Sequence, residues 1–474
     1  MMNNLIVVDR SVGTSLAVVD KLLEEELFII VLVVDNDQQR SLFQSNKKIG
    51  RIVTVAEIDR YDSTKGIDYQ IIKRCKGAQL WVENALTRFD DDYNDRKYVY
   101  YMGLSFWNEI FQKYSIDLVF VNSIMHGLPY DGILRGLASV FEIPYLTVNN
   151  LGINPWNKYV RDDFAEELIP VRNQKRVERL DQYLISEDPN SKDKDVLHLD
   201  VQIHVNPAAN RLKNGIIKLI YDIFGELGIE FFHSIRNGTF GKKYPIGSTG
   251  FLTSFWERLR CHINFLHTQR FYNEHVKKVN LSEKYIYFSL HFEPEGNIQC
   301  RMTMESQLLA IKMLHDCLPT GWKIVVKEHP YQMKVNTEQF SFMLHNIDLF
   351  KTIPFYRRIV NMKHVILASR DCASSELVAH AQGVAVLQGS VVVETVIAKK
   401  PLLLFSEMHP LSKAQDVFCC FSYQACREAL ETIESGFVPT YSDALEIMNQ
   451  YVFASEADYR QNCVDIIKNK LEMN

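Results

Sequence analysis

The stretch NNLIVVDRSVGTSLAVVDKLLEEELFIIVLVVDND, residues 3–37, joins two continuous apolar runs through a segment with helical spacing. Runs that are apolar at every position, rather than at alternate ones, read as strands buried on both faces, and two of them joined by a helix form a parallel β-α-β unit. The alternation continues with IDLVFVNS (116–123) as a strand, YDGILRGLASVFE (130–142) as a helix and IPYLTVNN (143–150) as a strand. A polar stretch, EDPNSKDKDVL (187–197), reads as an exposed loop. Residues 200–280 read as mostly helical, with a Gly- and Lys-rich interruption at 237–250. A second alternating block then begins. KYIYFSLHF (284–292), WKIVVKEH (322–329), HVILAS (364–369), GVAVLQ (383–388) and PLLLF (401–405) read as strands, with helices at 305–318 and 374–381 between them. The pattern predicts an α/β protein with two doubly wound, Rossmann-like domains. Residues 1–280 would form the first domain with a helical insertion, 281–410 the second, and 411–474 helices that pack back across both.

With 474 residues, 47% of them hydrophobic, the chain can bury more than one core. Its 53 basic and 58 acidic residues give a formal charge of -5, without the basic excess that a nucleic-acid partner requires. No segment approaches the roughly 18–20 uninterrupted apolar residues of a membrane span, and MMNNLIVVDRSVG lacks the basic and long apolar regions of a leader. A cytoplasmic chain is expected. Nine scattered cysteines without metal-knuckle spacing read as reduced thiols. No metal is expected, because the second half contains no paired-acid DxD and the acidic run FDDDYNDR (89–96) reads as a solvated stretch of the first half.

In open α/β sheets ligands sit beyond the carboxyl ends of the strands. Two clusters fall there in the second half. Lys327, Glu328, His329 and Pro330 end one strand. An imidazole beside a phosphate can give it a hydrogen bond or a proton near neutral pH, whereas the plain reading is solvated strand-end charges and a satisfied loop histidine. The second cluster is LQGSVVVET (387–395), where Gly389 permits a close backbone approach and Ser390 suits the cap of a helix whose free N–H groups attract an anion. Glu394 would then lie one turn on, placed for the hydroxyls of a ribose. Two other readings stand beside this one: a capping box, which needs its acid at position 393, and a hairpin, which Val391–Val393 and the QG turn signal favour.

The first half offers Asp9 as a base, Arg10 as an anion contact and Gly13 as a close-approach residue, although a plain strand-to-helix turn explains all three. VNSIMHGLPYDGIL (121–134) supplies His126 and Asp131, the latter equally suited to capping a helix. RNGTFGKKYP (236–245) fits an anionic acceptor, a membrane surface or a solvated basic loop.

Taken together, YFSLHFEPEGNIQ, LPTGWKIVVKEHP, PFYRRIVNMKHVILAS and SSELVAHAQGVAVLQGSVVVETVIAKKPLLLF, roughly 284–406, resemble the C-terminal half of bacterial capsule polysaccharide biosynthesis glycosyltransferases, the group that includes Kdo transferases. The resemblance implies a GT-B fold with a cleft between its domains and a nucleotide sugar, CMP-Kdo in the best-known members, bound by the second domain. It implies that His329 and Ser390 meet the donor phosphate and Glu394 the ribose, with Lys327, Glu328, Pro330, Gly389, Thr395 and Glu295 in the same motifs. The HP pair after a strand is also similar to GT-B bacterial sialyltransferases, which use CMP donors, and Asp131 before Gly132 loosely resembles their catalytic aspartate. The chain departs from the pattern at Phe292-Glu293, at Thr395 and at Lys399-Lys400-Pro401. The expectation is a cytoplasmic enzyme, or one peripheral at the inner membrane, that moves Kdo or a sialic-like sugar from a CMP donor to a polysaccharide or lipid-linked glycan. Asp131 would be base or nucleophile, and no cofactor beyond the donor and no nucleic acid is implied. A UDP-sugar epimerase or hydrolase on the same fold, or a non-catalytic glycan-assembly subunit, are the alternatives.

Overall fold

The computed structural model describes residues 4–9, 17–34, 37–88, 92–122, 131–151, 158–163, 165–183, 251–294, 302–329, 332 and 347–472. Its first sheet contains β1 (Asn4–Val8), β2 (Phe28–Val34), β3 (Ile49–Thr54), β4 (Leu118–Val121), β5 (Tyr145–Asn150), β6 (Lys158–Asp162) and β7 (Glu167–Ile169), in the order β3-β2-β1-β4-β5-β6-β7. The first five are parallel and the last two antiparallel. The second sheet contains β8 (Tyr285–Ser289), β9 (Lys323–Lys327), β10 (Val365–Leu367), β11 (Gly383–Val386), β12 (Leu402–Leu404) and β13 (Val417–Cys419), all parallel, in the order β10-β9-β8-β11-β12-β13. Numbered within its own domain, each sheet runs 3-2-1-4-5, the Rossmann order. The α/β architecture of two doubly wound domains is therefore the one expected.

Burial explains the unbroken apolar runs. Ile6 and Val8 of β1 enter one core with Trp107 and Leu137, while Leu5 and Val7 enter another with Val18 and Leu22. In β8, Ile286 and Phe288 face one layer and Tyr285 and Tyr287 the other. Alternate residues point to opposite faces, so with helices on both sides every position is buried and no polar alternation survives.

The structure also departs from the expectations. β13 carries the second sheet to Cys419, past the boundary at 410, because β12 still needs a partner on its outer edge. Part of the acidic run 89–96 is a cap: Asp92 accepts from the amides of Asn94 and Asp95 and starts the helix Tyr93–Lys113. The segments 187–197 and 237–250 lie outside the described residues.

Beyond β13 the helices Tyr423–Glu434, Ala444–Tyr451 and Glu456–Glu472 follow. The last of these returns to the first domain, where Tyr459, Cys463, Val464 and Ile467 pack with Leu5, Val7, Leu32 and Phe120. A further apolar cluster joins the halves, with Leu151, Tyr159 and Tyr183 against Val392, Val393 and Met448. At this seam the carboxyl ends of β5 and β11 meet, since Tyr159, paired with Asn149, lies 3.5 Å through its hydroxyl from Gln388 Nε2. Among the described residues no helix is long and apolar enough to cross a membrane.

Ile467 is fully buried in this returning helix. Ile467→Ala is expected to cost about 2–5 kcal/mol, read as a lower urea midpoint for the first domain.

Candidate functional site

The order of the second sheet reverses between β8, which leads to β9 on one side, and β11, which leads to β12 on the other. Helices diverge to opposite faces at such a reversal and leave a crevice at the carboxyl ends. Three segments reach it: 290–294 after β8, 328–329 after β9 and 387–390 after β11.

The parallel register pairs Ser289 with Lys327, so the residues two positions further on, His291 and His329, leave the sheet side by side. Their rings are nearly parallel, with centroids 6.4 Å apart and planes 16° apart, and Phe292 sits edge-on to His329 at 5.8 Å. Gly389 closes the row. Its φ of 101° is left-handed, and a Cβ on it would lie 3.4 Å from His291 Nε2. A side chain here would meet backbone strain and would rest in van der Waals contact with the imidazole.

The helix Ser390–Ile397 begins at this turn, which settles the hairpin reading against itself. Gly389 is its N-cap, with Ser390 the first helical residue instead of the expected cap. A helix through Val391-Val392-Val393 costs up to about 0.7 kcal/mol per residue in propensity, whereas burying each valine stabilises by about 1.5–3 kcal/mol. Val392, Val393 and Val396 are all buried, and burial wins.

Glu394 is buried one turn into this helix. Burial first, with the charge of Glu394 adding to it, pushes the phenol of Tyr287 up to about 12. Thr395 is fully buried and its hydroxyl donates to the Val391 carbonyl at 2.6 Å, a bond internal to its own helix. Lys327 is buried on the Tyr287 side of the sheet, where its ammonium donates to Ser374 Oγ at 2.7 Å.

Glu328, expected among the donor contacts, is committed inward. Its Oε1 accepts from Lys351 Nζ at 2.7 Å and from the His329 amide at 2.6 Å, and its Oε2 from the Tyr356 hydroxyl at 2.6 Å. The Lys351 and Glu328 side chains are 1% and 0% exposed. Burial, with Glu328 alongside, holds the Tyr356 phenol well above its usual value, so it stays a donor. Lys351 also donates to the His291 carbonyl. Gln307 accepts the His291 amide at 2.7 Å and donates to the His291 carbonyl and to Glu293. Gln332 brackets the Glu293 backbone, accepting its N–H at 2.8 Å and donating to its carbonyl at 2.6 Å.

In the first domain the reversal falls between β1 and β4. Asp9 follows β1, fully buried, and accepts from Asn122 Nδ2 at 2.8 Å; Asn122 in turn accepts from the Tyr459 hydroxyl of the returning helix. Burial pushes the Lys158 amine, 4.6 Å from the centre of the Tyr459 ring, below its usual value. Asp131 is buried as the N-cap of the helix Gly132–Phe141, accepting from the Gly132 amide at 2.6 Å, and its carbonyl accepts from the Tyr145 hydroxyl. Arg10, Gly13, His126, Glu295 and Pro330 lie outside the described residues. Among the described residues no group of three or more His, Cys, Asp or Glu is placed to hold a metal ion.

His291 was legible in principle, because it stands two residues past a strand end, as His329 does. Lys351, Tyr356 and Gln307 carried no signal: they reach the site only through tertiary packing.

Two Rossmann-order sheets, with the polar cluster at the reversal of the second, make this a two-domain α/β protein of the GT-B type. No family model matches the sequence, and no curated protein matches it. Solved structures do. An α,α-trehalose-phosphate synthase (UDP-forming) from Burkholderia vietnamiensis matches at 11% identity over 100% of this chain and 99% of the other, with a TM-score of 0.30. The UDP-GlcNAc 2-epimerase of Methanocaldococcus jannaschii, in complex with UDP-GlcNAc and UDP, matches at 12% identity over 99% and 100%, with a TM-score of 0.27. The UDP-GlcNAc 2-epimerase of Neisseria meningitidis matches at 14% identity over 100% of both chains, with a TM-score of 0.22. At TM-scores this low the fold stands on its own strand orders.

Gly389→Ala is expected to lower stability by about 1–2 kcal/mol through the strain of a positive φ, with its methyl group in van der Waals contact with His291. The test is a thermal midpoint beside a nucleotide titration. The carboxyl of Glu293 is held above its usual value of 4.5 by burial, partly offset by Lys351. A raised folded pKa favours folding below the unfolded value and loses that contribution as pH rises through the folded one. Glu293→Gln should therefore flatten the decline in stability above pH 4.5 and raise the thermal midpoint at pH 8 relative to the wild type.

Proposed function

We infer that this chain is a glycosyltransferase that binds a nucleotide-activated sugar at the crevice between β8 and β11. The observation that carries this is the convergence of His291, His329 and the Gly389 turn on one sheet edge. Two imidazole N–H groups and the amides opening a helix form a set of donors suited to the oxygens of a phosphate. Glu394, one turn further, suits a ribose. The donor we assign is a CMP-linked acidic sugar, Kdo or a sialic-like relative, on the resemblance of residues 284–406 to capsule glycosyltransferases. In the reaction the acceptor hydroxyl forms a bond to the anomeric carbon, its proton passes to a carboxylate, and the sugar–phosphate bond breaks with its electron pair on the departing nucleotide. His329 would stabilise that charge. The acceptor would be a polysaccharide or a lipid-linked glycan, the latter bringing the protein to a membrane surface.

A nucleotide at 100 times its Kd stabilises the folded state by about 2.7 kcal/mol. CMP is therefore expected to raise the thermal midpoint, and His329→Ala and Glu394→Ala to remove the effect. Stabilisation by UDP in place of CMP would overturn the donor and favour a UDP-sugar enzyme, an epimerase included. Release of CMP from the donor only when acceptor is present distinguishes transfer from hydrolysis and from a non-catalytic subunit.

For the acceptor side we assign the base to Asp131. Asparagine caps a helix as well as aspartate does, so Asp131→Asn should keep the thermal midpoint while transfer falls by about 10²–10⁴. An unchanged rate in that variant would remove Asp131 from the chemistry.

A further inference from the structure

The geometry points to Lys351 as a positioning residue that, through Glu328, holds the two imidazoles at the β8–β11 crevice as one unit. The inference deepens the proposed phosphate site and rests on that reading for its effect on binding. The loop carrying His291 and the loop carrying His329 leave neighbouring strands, and the β8–β9 register starts them side by side at Ser289 and Lys327 without fixing the course of either loop beyond that point. The Lys351 ammonium spans both. It donates to the His291 carbonyl and to Glu328 Oε1, and the same carboxylate oxygen accepts the His329 amide at 2.6 Å. Tyr356 occupies the other oxygen of Glu328, which fixes the plane of the carboxylate. Gln307 grips the His291 peptide from the opposite side through both its N–H and its carbonyl.

This explains why a charged pair is kept at essentially zero exposure. Removing two charges from water is costly, and apolar residues of the same volume would serve stability at least as well. A buried pair that also bonds two loop backbones supplies something apolar residues cannot, a fixed distance between those loops. It also assigns Lys327-Glu328-His329 three different tasks. Lys327 points to Ser374, Glu328 points inward to the clamp, and His329 stands beside the crevice.

Replacing one member alone would leave an unpaired buried charge and unfold the domain for trivial reasons. The test therefore uses the neutral double variant Glu328→Gln/Lys351→Met together with Tyr356→Phe, which keeps both charges. The first readout needs no ligand. In histidine-labelled protein the ring protons of His329 are shifted by the currents of Phe292 and His291, and assignment follows from His291→Gln and His329→Gln. The double variant is expected to stay folded, with those shifts collapsed toward free-imidazole values and CMP binding at least tenfold weaker; Tyr356→Phe should weaken binding twofold to fivefold. If the double variant does not fold, Tyr356→Phe alone decides by the same two readouts. Unchanged ring-current shifts, or unchanged affinity, in a folded variant would overturn the clamp. If the wild type binds no nucleotide at all, the proposed function falls and the ring-current comparison alone decides whether Lys351 sets the imidazole spacing.

Discussion

A parallel sheet whose strand order turns back on itself leaves a gap that its own connecting helices cannot cover, and the second domain is organised around that constraint. Beyond the carboxyl ends of β8 and β9 the backbone groups of residues 291–293 and the His329 amide are bonded by side chains and not by a neighbouring strand. Buried peptide groups left unpaired cost about 1–3 kcal/mol each, so side chains must be brought in to satisfy them. Gln307, Gln332 and Lys351 do this for residues 291–293, and Glu328 does it for His329. The polar residues beneath the crevice are thus a consequence of topology before they are a matter of chemistry. What remains above them is a short row of donors, two imidazoles and the opening turn of a helix.

The first domain has the same topology and a different outcome. Its reversal, between β1 and β4, is bridged by Asp9 and Asn122, and the hydroxyl of Tyr459 reaches in to complete the set. That tyrosine is deeply buried and its phenol is held well above its usual value by desolvation. The returning helix therefore supplies one polar atom to an otherwise apolar contact with β1, β2 and β4. The seam between Tyr159 and Gln388 sets the second crevice beside the first domain.

Most of the architecture was legible in the sequence, and the exceptions have physical reasons. β1, β2, β4, β5, β8, β9, β11 and β12 are covered on both faces, so their apolar runs are unbroken. β3, with the exposed pair Gly50-Arg51, and β6, with Lys158, Arg161 and Asp162, owe their pairing to a neighbour and not to a pattern of their own. The helix after Gly389 had the opposite problem, since three consecutive valines favour a strand locally and only burial on several sides makes them helical. At the site, His329 and the Gly389 turn stood out because loop chemistry after a strand is local. The inward commitment of Glu328 did not, because its partners, Lys351 in a bend and Tyr356 in the helix Ile353–Val360 that follows it, come from elsewhere in the chain and are chosen by packing.

The returning helix also sets a timetable for biosynthesis. Glu25, in the turn that follows the helix Ala17–Glu24, pairs with Lys468, and 443 residues separate them. At about 5–20 residues per second on the ribosome, roughly 20–90 s pass between Glu25 and Lys468, whose helix seals Leu5, Val7 and Phe120. During that interval the nascent domain presents an open apolar flank, a surface for chaperones to hold and a place where premature association begins. Completion of the amino-terminal lobe is thus one of the last events of folding, although its strands are the first to be made.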